Sequence, residues 1–250
     1  MRYRKWALRF ISVVFLGLVW QSQAVKANAF AFAPIDKIIG ELLNSIASGE
    51  LLKATLGTLM TLFVGYLLAA SIGIGLGILI ALSQAAKNTI EPLINALNTT
   101  PVAIFIPVIG ISTGLGFNGR VVLICLWTVS IITINTAIGI RETPLPLIEM
   151  GLTFSANSRA LLRTIILPSA IPFILVGLRL GLGVAFRAAI TAELLLSASN
   201  LGAFVSNAGS VFNIPRLLAG IVFIALIGVL LLRGAEFAET RIIKRWYKHD

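Results

Sequence analysis

The sequence is poor in the residues that build most catalytic and metal centres. Among 250 residues there is one cysteine, Cys125, and one histidine, His249. A lone cysteine excludes an intrachain disulfide and a redox pair, and a lone histidine beside it excludes a Cys/His zinc cluster. The only imidazole is the penultimate residue, which argues against a buried Ser-His-Asp triad. Charge is scarce too: ten acids and twenty bases make up 12% of the chain, against 58% hydrophobic residues and a mean hydropathy of +0.97. Thirty charged side chains cannot clothe a water-soluble protein of this size, so the apolar excess faces lipid. The chain reads as an all-α polytopic membrane protein.

A bilayer core needs roughly 20 apolar residues as helix. On that ruler six spans are expected, at about 7–24, 54–82, 95–114, 121–140, 169–195 and 217–235. Pro101 and Pro107 interrupt the third, which is expected to be kinked or partly unwound. The first has features of a signal peptide, with Arg2, Arg4, Lys5 and Arg9 ahead of an apolar run and Ala27-Asn28-Ala29 after it. Trp6 and Trp20 bracket that run as interfacial anchors would, and it is read as a retained helix. The organisation that follows is an N-terminal tail and first helix over 1–30, an extracytoplasmic connection over 31–53, a transmembrane domain over 54–240 and a basic tail over 241–250.

Cytoplasmic segments of membrane proteins carry an excess of Lys and Arg. With the N-terminus inside, thirteen of the twenty bases fall on the cytoplasmic side, among them Lys87, Arg141, Arg159, Arg163 and both tails, and five fall opposite. Arg179 and Arg187 lie within the fifth span. Both termini are therefore expected in the cytoplasm, and the surplus of ten positive charges is mainly a topology signal that also suits anionic lipid.

The longest polar interruption on the inner side runs from Arg141 to Pro168. It contains Thr143-Pro144-Leu145-Pro146, then Ile148-Glu149-Met150-Gly151-Leu152-Thr153-Phe154-Ser155, then the apolar spacing of Ala160, Leu161, Leu162, Ile165 and Ile166, and closes at Leu167-Pro168. Such a segment suits a short amphipathic helix packed against another protein or lying in the headgroups. It resembles the loop of permease subunits of ATP-binding-cassette importers, which runs Glu-Ala-Ala, Gly, Ile-x-Leu-Pro. Glu149, Ile165, Leu167 and Pro168 match; Met150 and Gly151 replace the alanines, and Ser155 stands where that family has glycine, which puts the local turn geometry in question. Further matches at Glu91-Pro92-Leu93, Asn135, Gly139-Ile-Arg141, Gly177-Leu-Arg179, Ala192-Glu193 and Asn200-Leu-Gly202 are similar to the nitrate/sulfonate/taurine branch, over about residues 30–235.

The resemblance implies a type I importer permease fold, with the 141–168 loop as the coupling element to a separate ATPase. Glu149, Gly151, Ser155, Ala156, Arg159, Leu162, Ile165, Leu167 and Pro168 would form that element, with Pro168 setting the angle into the next span. It further implies a homodimer in the bacterial inner membrane and an extracytoplasmic solute-binding protein. The chain would bind no cofactor, ATP and Mg belonging to the ATPase. No G-x-x-x-x-G-K-[ST] phosphate loop occurs in the sequence. The nearest likeness, Gly114-Leu-Gly116-Phe-Asn-Gly119-Arg120, lies between two spans with no preceding strand and reads as a tight interhelical turn.

Small residues recur every fourth position at Gly65, Ala69, Gly73 and Gly77, and again at Gly177, Gly181, Ala185 and Ala189. In lipid such stripes let helix backbones approach closely. Two readings stand for the charges in the fifth span: Arg179 and Glu193 as interior groups holding helices together, or Arg187 and Glu193 as groups meeting solute. Thr128, Ser130, Thr133, Asn135 and Thr136 either line a path or join helices. The function expected is passage of a small anionic solute, the alternative being a stand-alone channel or secondary transporter.

Overall fold

The computed structural model describes residues 15, 17–24, 32–196 and 198–246. Among these there is no strand. After helical residues 17–24 come α1 (Ile35–Ala47), α2 (Glu50–Leu82), α3 (Gln84–Thr99), α4 (Ile106–Thr113), α5 (Phe117–Arg141), α6 (Leu145–Thr153), α7 (Ser158–Leu161), α8 (Leu167–Leu195), α9 (Asn200–Ser210) and α10 (Ile214–Trp246). Of the described helices, Glu50–Leu82, Phe117–Arg141, Ser158–Leu195 and Ile214–Lys244 are each long and apolar enough to cross a bilayer, and α3 with α4 adds a bent fifth. Half of the span expected at 7–24 lies outside the described residues, and its 17–24 portion is helical.

The third expected span is broken and partly unwound at its first proline. Thr100, held extended at φ −78°, ψ 130° by the ring of Pro101, ends α3; a 3₁₀ turn at Val102–Phe105 follows, and the chain resumes as α4 after a 94° bend. Two other boundaries move outward, because a helix continues past the point where its sequence stops being apolar. α2 begins at Glu50 rather than 54, and α10 continues to Trp246, so Arg241 and Lys244 of the expected basic tail are helical. The 31–53 connection contains α1, an amphipathic helix the apolar ruler overlooks.

The chain divides into two compact units. The first comprises residues up to Gly57 with Ala198–Ile227. In it the Gln21 amide carbonyl accepts the Ile35 N–H at 2.7 Å, and the Trp20 indole donates to the Ala33 carbonyl at 3.0 Å, pinning the start of α1. Arg216 meets both Glu50 carboxylate oxygens, at 2.5 and 2.7 Å, with its guanidinium 4.6 Å from the Phe204 ring.

The second unit, Thr58–Ser197 with Gly228 onward, is organised around α5. Thirteen residues of α5 are buried, including the alternation of Leu123, Ile124, Thr128, Ile132 and Thr136. Glycines explain how close its neighbours come. A Cβ at Gly65, Gly73 or Gly77 of α2 would lie 2.8, 3.0 or 2.5 Å from Ile124, Ile132 or Thr136. One at Gly177 or Gly181 of α8 would lie 2.7 or 2.8 Å from Asn135 or Ile132. Both small-residue faces therefore press on the same central helix, at separations only a missing side chain allows.

Candidate functional site

The 141–168 segment is built from two helices joined by a capped turn. α5 ends at Arg141, and the buried Thr143 hydroxyl donates back to the Ile140 carbonyl at 2.9 Å. α6 starts after Pro144, with Pro146 in its first turn where a missing N–H costs nothing. It closes in a Schellman motif: the Ala156 N–H donates to the Gly151 carbonyl at 3.0 Å and the Ser155 N–H to the Leu152 carbonyl at 2.9 Å. That motif requires a left-handed residue, and Ser155 supplies it at φ 57°. The next helix is capped at once, the Asn157 side-chain oxygen accepting the Ala160 N–H at 2.9 Å.

From Ser158 the chain runs through a π-turn, Leu162–Ile166, directly into α8. Pro168 is thus an early residue of an ongoing helix rather than a corner between loop and span. The extra residue of the π-turn is placed where the proline ring cannot follow the ordinary helical bonding pattern. Gly151 is buried against this stretch, where a Cβ would lie 2.6 Å from Leu161 and 2.7 Å from Ile165, so α6 folds back tightly onto the root of α8. Leu162, Ile165, Leu167 and Pro168 are half-buried, as is Ala156; Glu149, Ser155 and Arg159 are exposed. The outward side of the segment is apolar: Leu145, Met150 and Leu152 are half or more accessible and Phe154 is 79% accessible. Phe154 was not singled out in the sequence, where an aromatic at the end of a helical spacing reads as core.

Arg179 and Glu193 each meet a partner on another helix. Arg179 forms an ion pair with Glu239 of α10 at 2.6 Å. Glu193 is fully buried; the Thr58 hydroxyl donates to one carboxylate oxygen at 2.9 Å, and Arg120, only 12% accessible, approaches the other at 3.9 Å. Arg120, which the sequence places in the turn between two spans, is helical, because α5 begins three residues before it. Arg187 is exposed and forms no ion pair or hydrogen bond among the described residues, flanked in sequence by buried Ala185, Phe186, Ala188 and Ala189. Asn135 packs on Gly177 and donates to the Ile131 carbonyl at 2.8 Å. Thr128 and Thr136 are fully buried on α5, so this polar stretch lies inside helix packing.

Residues 73–244 match the family of inner membrane components of binding-protein-dependent transport systems. The chain belongs to this family. Among curated relatives, the riboflavin transport system permease protein of Chloroflexus aurantiacus is 30% identical over 238 residues, covering 94% of this chain and 88% of that one. The taurine transport system permease protein of Escherichia coli K12 is 28% identical over 235 residues, covering 92% of this chain and 86% of its own. Among solved structures, the MetNI methionine ABC transporter in inward-facing conformation aligns with a TM-score of 0.68 at 19% identity, over 78% of this chain and 95% of that one. That likeness establishes the importer permease fold. The chain is a multi-pass permease subunit of an ABC importer of the inner membrane.

Proposed function

We propose that this permease carries a small anionic solute and is driven by a separate ATPase docked on α6 and the turn that follows it. The observation that carries the docking is the exposed apolar side of that segment, Leu145, Met150, Leu152 and Phe154, which no part of the described chain covers. Apolar groups gathered on a polar stretch are what a partner surface needs, with Glu149 and Arg159 at its edge to fix the register. The segment is continuous with α8, so force applied to it reaches the membrane-embedded helices without an intervening flexible loop. On this reading ATP and Mg belong to the ATPase and this chain hydrolyses nothing. Two copies enclose the path, both termini face the cytoplasm and touch anionic headgroups, and an extracytoplasmic binding protein delivers the solute.

Relatives differ in what they carry, taurine in one case and riboflavin in another. The anionic class is supported here by an unpaired arginine within a span. The decisive experiment is co-purification with the ATPase encoded alongside this chain. Glu149→Lys is expected to weaken recovery, and Phe154→Ala to weaken it by about 2 kcal/mol, roughly thirtyfold in Kd. Recovery of both variants at the wild-type level would remove α6 as the docking site, and solute transport by the purified chain alone would overturn the ATP-driven reading.

A further inference from the structure

Helices α8 and α10 run side by side in the second unit, their register fixed where a Cβ on Gly183 would lie 3.1 Å from Leu232 and one on Gly228 would lie 2.8 Å from Phe186. Between them is an open groove of about 410 Å³. Three guanidinium groups, Arg179, Arg187 and Arg233, and one carboxylate, Glu236, line it, together with Leu180 and Val229. Two of those cations are already neutralised: Arg179 by Glu239 at 2.6 Å and Arg233 by Glu236 at 3.3 Å. Arg187 is left over as the groove's surplus positive charge.

Its position makes this surplus informative. The exposed face of α8 is a stripe at seven-residue spacing, Phe173, Leu180, Arg187 and Leu194, in which Arg187 is the one charged member. Arg187 is twenty residues from the start of α8, about 30 Å along the axis, and eight residues, about 12 Å, from its end, so it lies toward the end away from α6. A guanidinium on an otherwise apolar helical face is tolerated where it meets water or an anion, lipid phosphate included, not acyl chains. Val229 of α10 lies across the groove at the level of Arg187, as the Gly228–Phe186 contact sets it.

We propose that this groove faces the solute path and is a contact site for a small oxyanion, a sulfonate, carboxylate or nitrate-like group, held by the Arg187 guanidinium. Beside the two ion pairs the walls are apolar, so Arg187 carries the groove's net charge while Leu180 and Val229 leave room for an organic tail. A planar guanidinium suits the two oxygens of such a group. The proposal rests on the permease reading above and deepens it by naming the residue that selects charge.

The test uses the complete transporter in phosphatidylcholine vesicles, with Cys125→Ser as background and Val229→Cys as reporter. Leu180→Cys is a second reporter should the first fold poorly. Rates of reaction are measured with two water-borne methanethiosulfonates, one carrying a sulfonate and one a trimethylammonium group. The sulfonate reagent is expected to react about tenfold faster than the cationic one. That preference is expected to vanish in Arg187→Gln and persist in Arg187→Lys, and added methanesulfonate is expected to slow labelling. Three results would overturn the proposal. One is labelling only by a membrane-permeant maleimide, which would turn the groove toward lipid. Another is a preference indifferent to Arg187→Gln. The last is a preference abolished when phosphatidylglycerol is added to the vesicles, which would make a headgroup phosphate the occupant. In each case co-purification of the ATPase still reports on the permease reading, so the two fail separately.

Discussion

Arg141, the last residue of α5, grips both carboxylate oxygens of Glu91, at 2.8 and 2.7 Å, and also reaches the Ile80 carbonyl at 3.5 Å. One side chain thereby ties the ends of α2 and α5 to the middle of α3, directly before the chain enters α6. A planar fork fits two carboxylate oxygens in a way an ammonium cannot.

Arg141→Lys should therefore keep the charge and lose the alignment. Both groups are about a third exposed, so the stability cost is expected to remain below about 1 kcal/mol. ATP-driven uptake in vesicles is expected to fall at least by half. Uptake equal to wild type would show that the clamp is not needed to hold the base of α6.

Ser155 offers a gain rather than a loss. A serine at φ 57° carries a steric cost that glycine lacks, so Ser155→Gly should stabilise the permease by about 1 kcal/mol, read as a rise in the melting temperature in detergent. Ser155→Val should lower it, because a β-branched side chain tolerates this conformation poorly. A melting temperature unmoved by either change would mean the turn is not held in that conformation.

At the α2–α5 seam, Gly73 and Gly75 form an internal control. A Cβ at Gly73 would lie 3.0 Å from Ile132, whereas nothing stands within 4 Å of one at Gly75. Gly73→Leu should cut the folded yield in size-exclusion chromatography, while Gly75→Ala should leave it unchanged or slightly improved. Equal yields from the two would remove the close approach as a requirement.

Glu193 predicts a compensating pair. Glu193→Ala removes the carboxylate facing a largely buried Arg120 and should cost about 3 kcal/mol, seen as a marked drop in thermal stability. Replacing both by leucine should recover much of that loss. If the double variant is no more stable than the single one, the two charges are not balanced against each other.

The sequence is most informative where physics is one-dimensional. Apolar runs mark α2, α5, α8 and α10 because a bilayer demands length and hydropathy together. They miss where helices end, since a helix continues past the lipid into polar residues. That is why Arg120 and Glu50 looked like loop residues and are helical. Partnerships are hidden for another reason. Arg179 and Glu239 are sixty residues apart, and only the antiparallel register of α8 and α10 brings them to 2.6 Å. The glycines at 65, 73, 77, 177 and 181 could be seen as stripes, but not that both stripes close on one helix. Ser155 in place of glycine marked the turn as unusual, and the left-handed backbone there is the reason.

The stretch Ser158–Leu195 is a single helical run of 38 residues, about 57 Å from end to end. A body of that length magnifies what happens at its foot: a rotation of about a tenth of a radian about one end carries the other through roughly 6 Å. With α6 packed on that foot at Gly151, where a Cβ would lie 2.6 Å from Leu161, a tilt of that size would carry the Glu193 end through a distance comparable to one full helical turn.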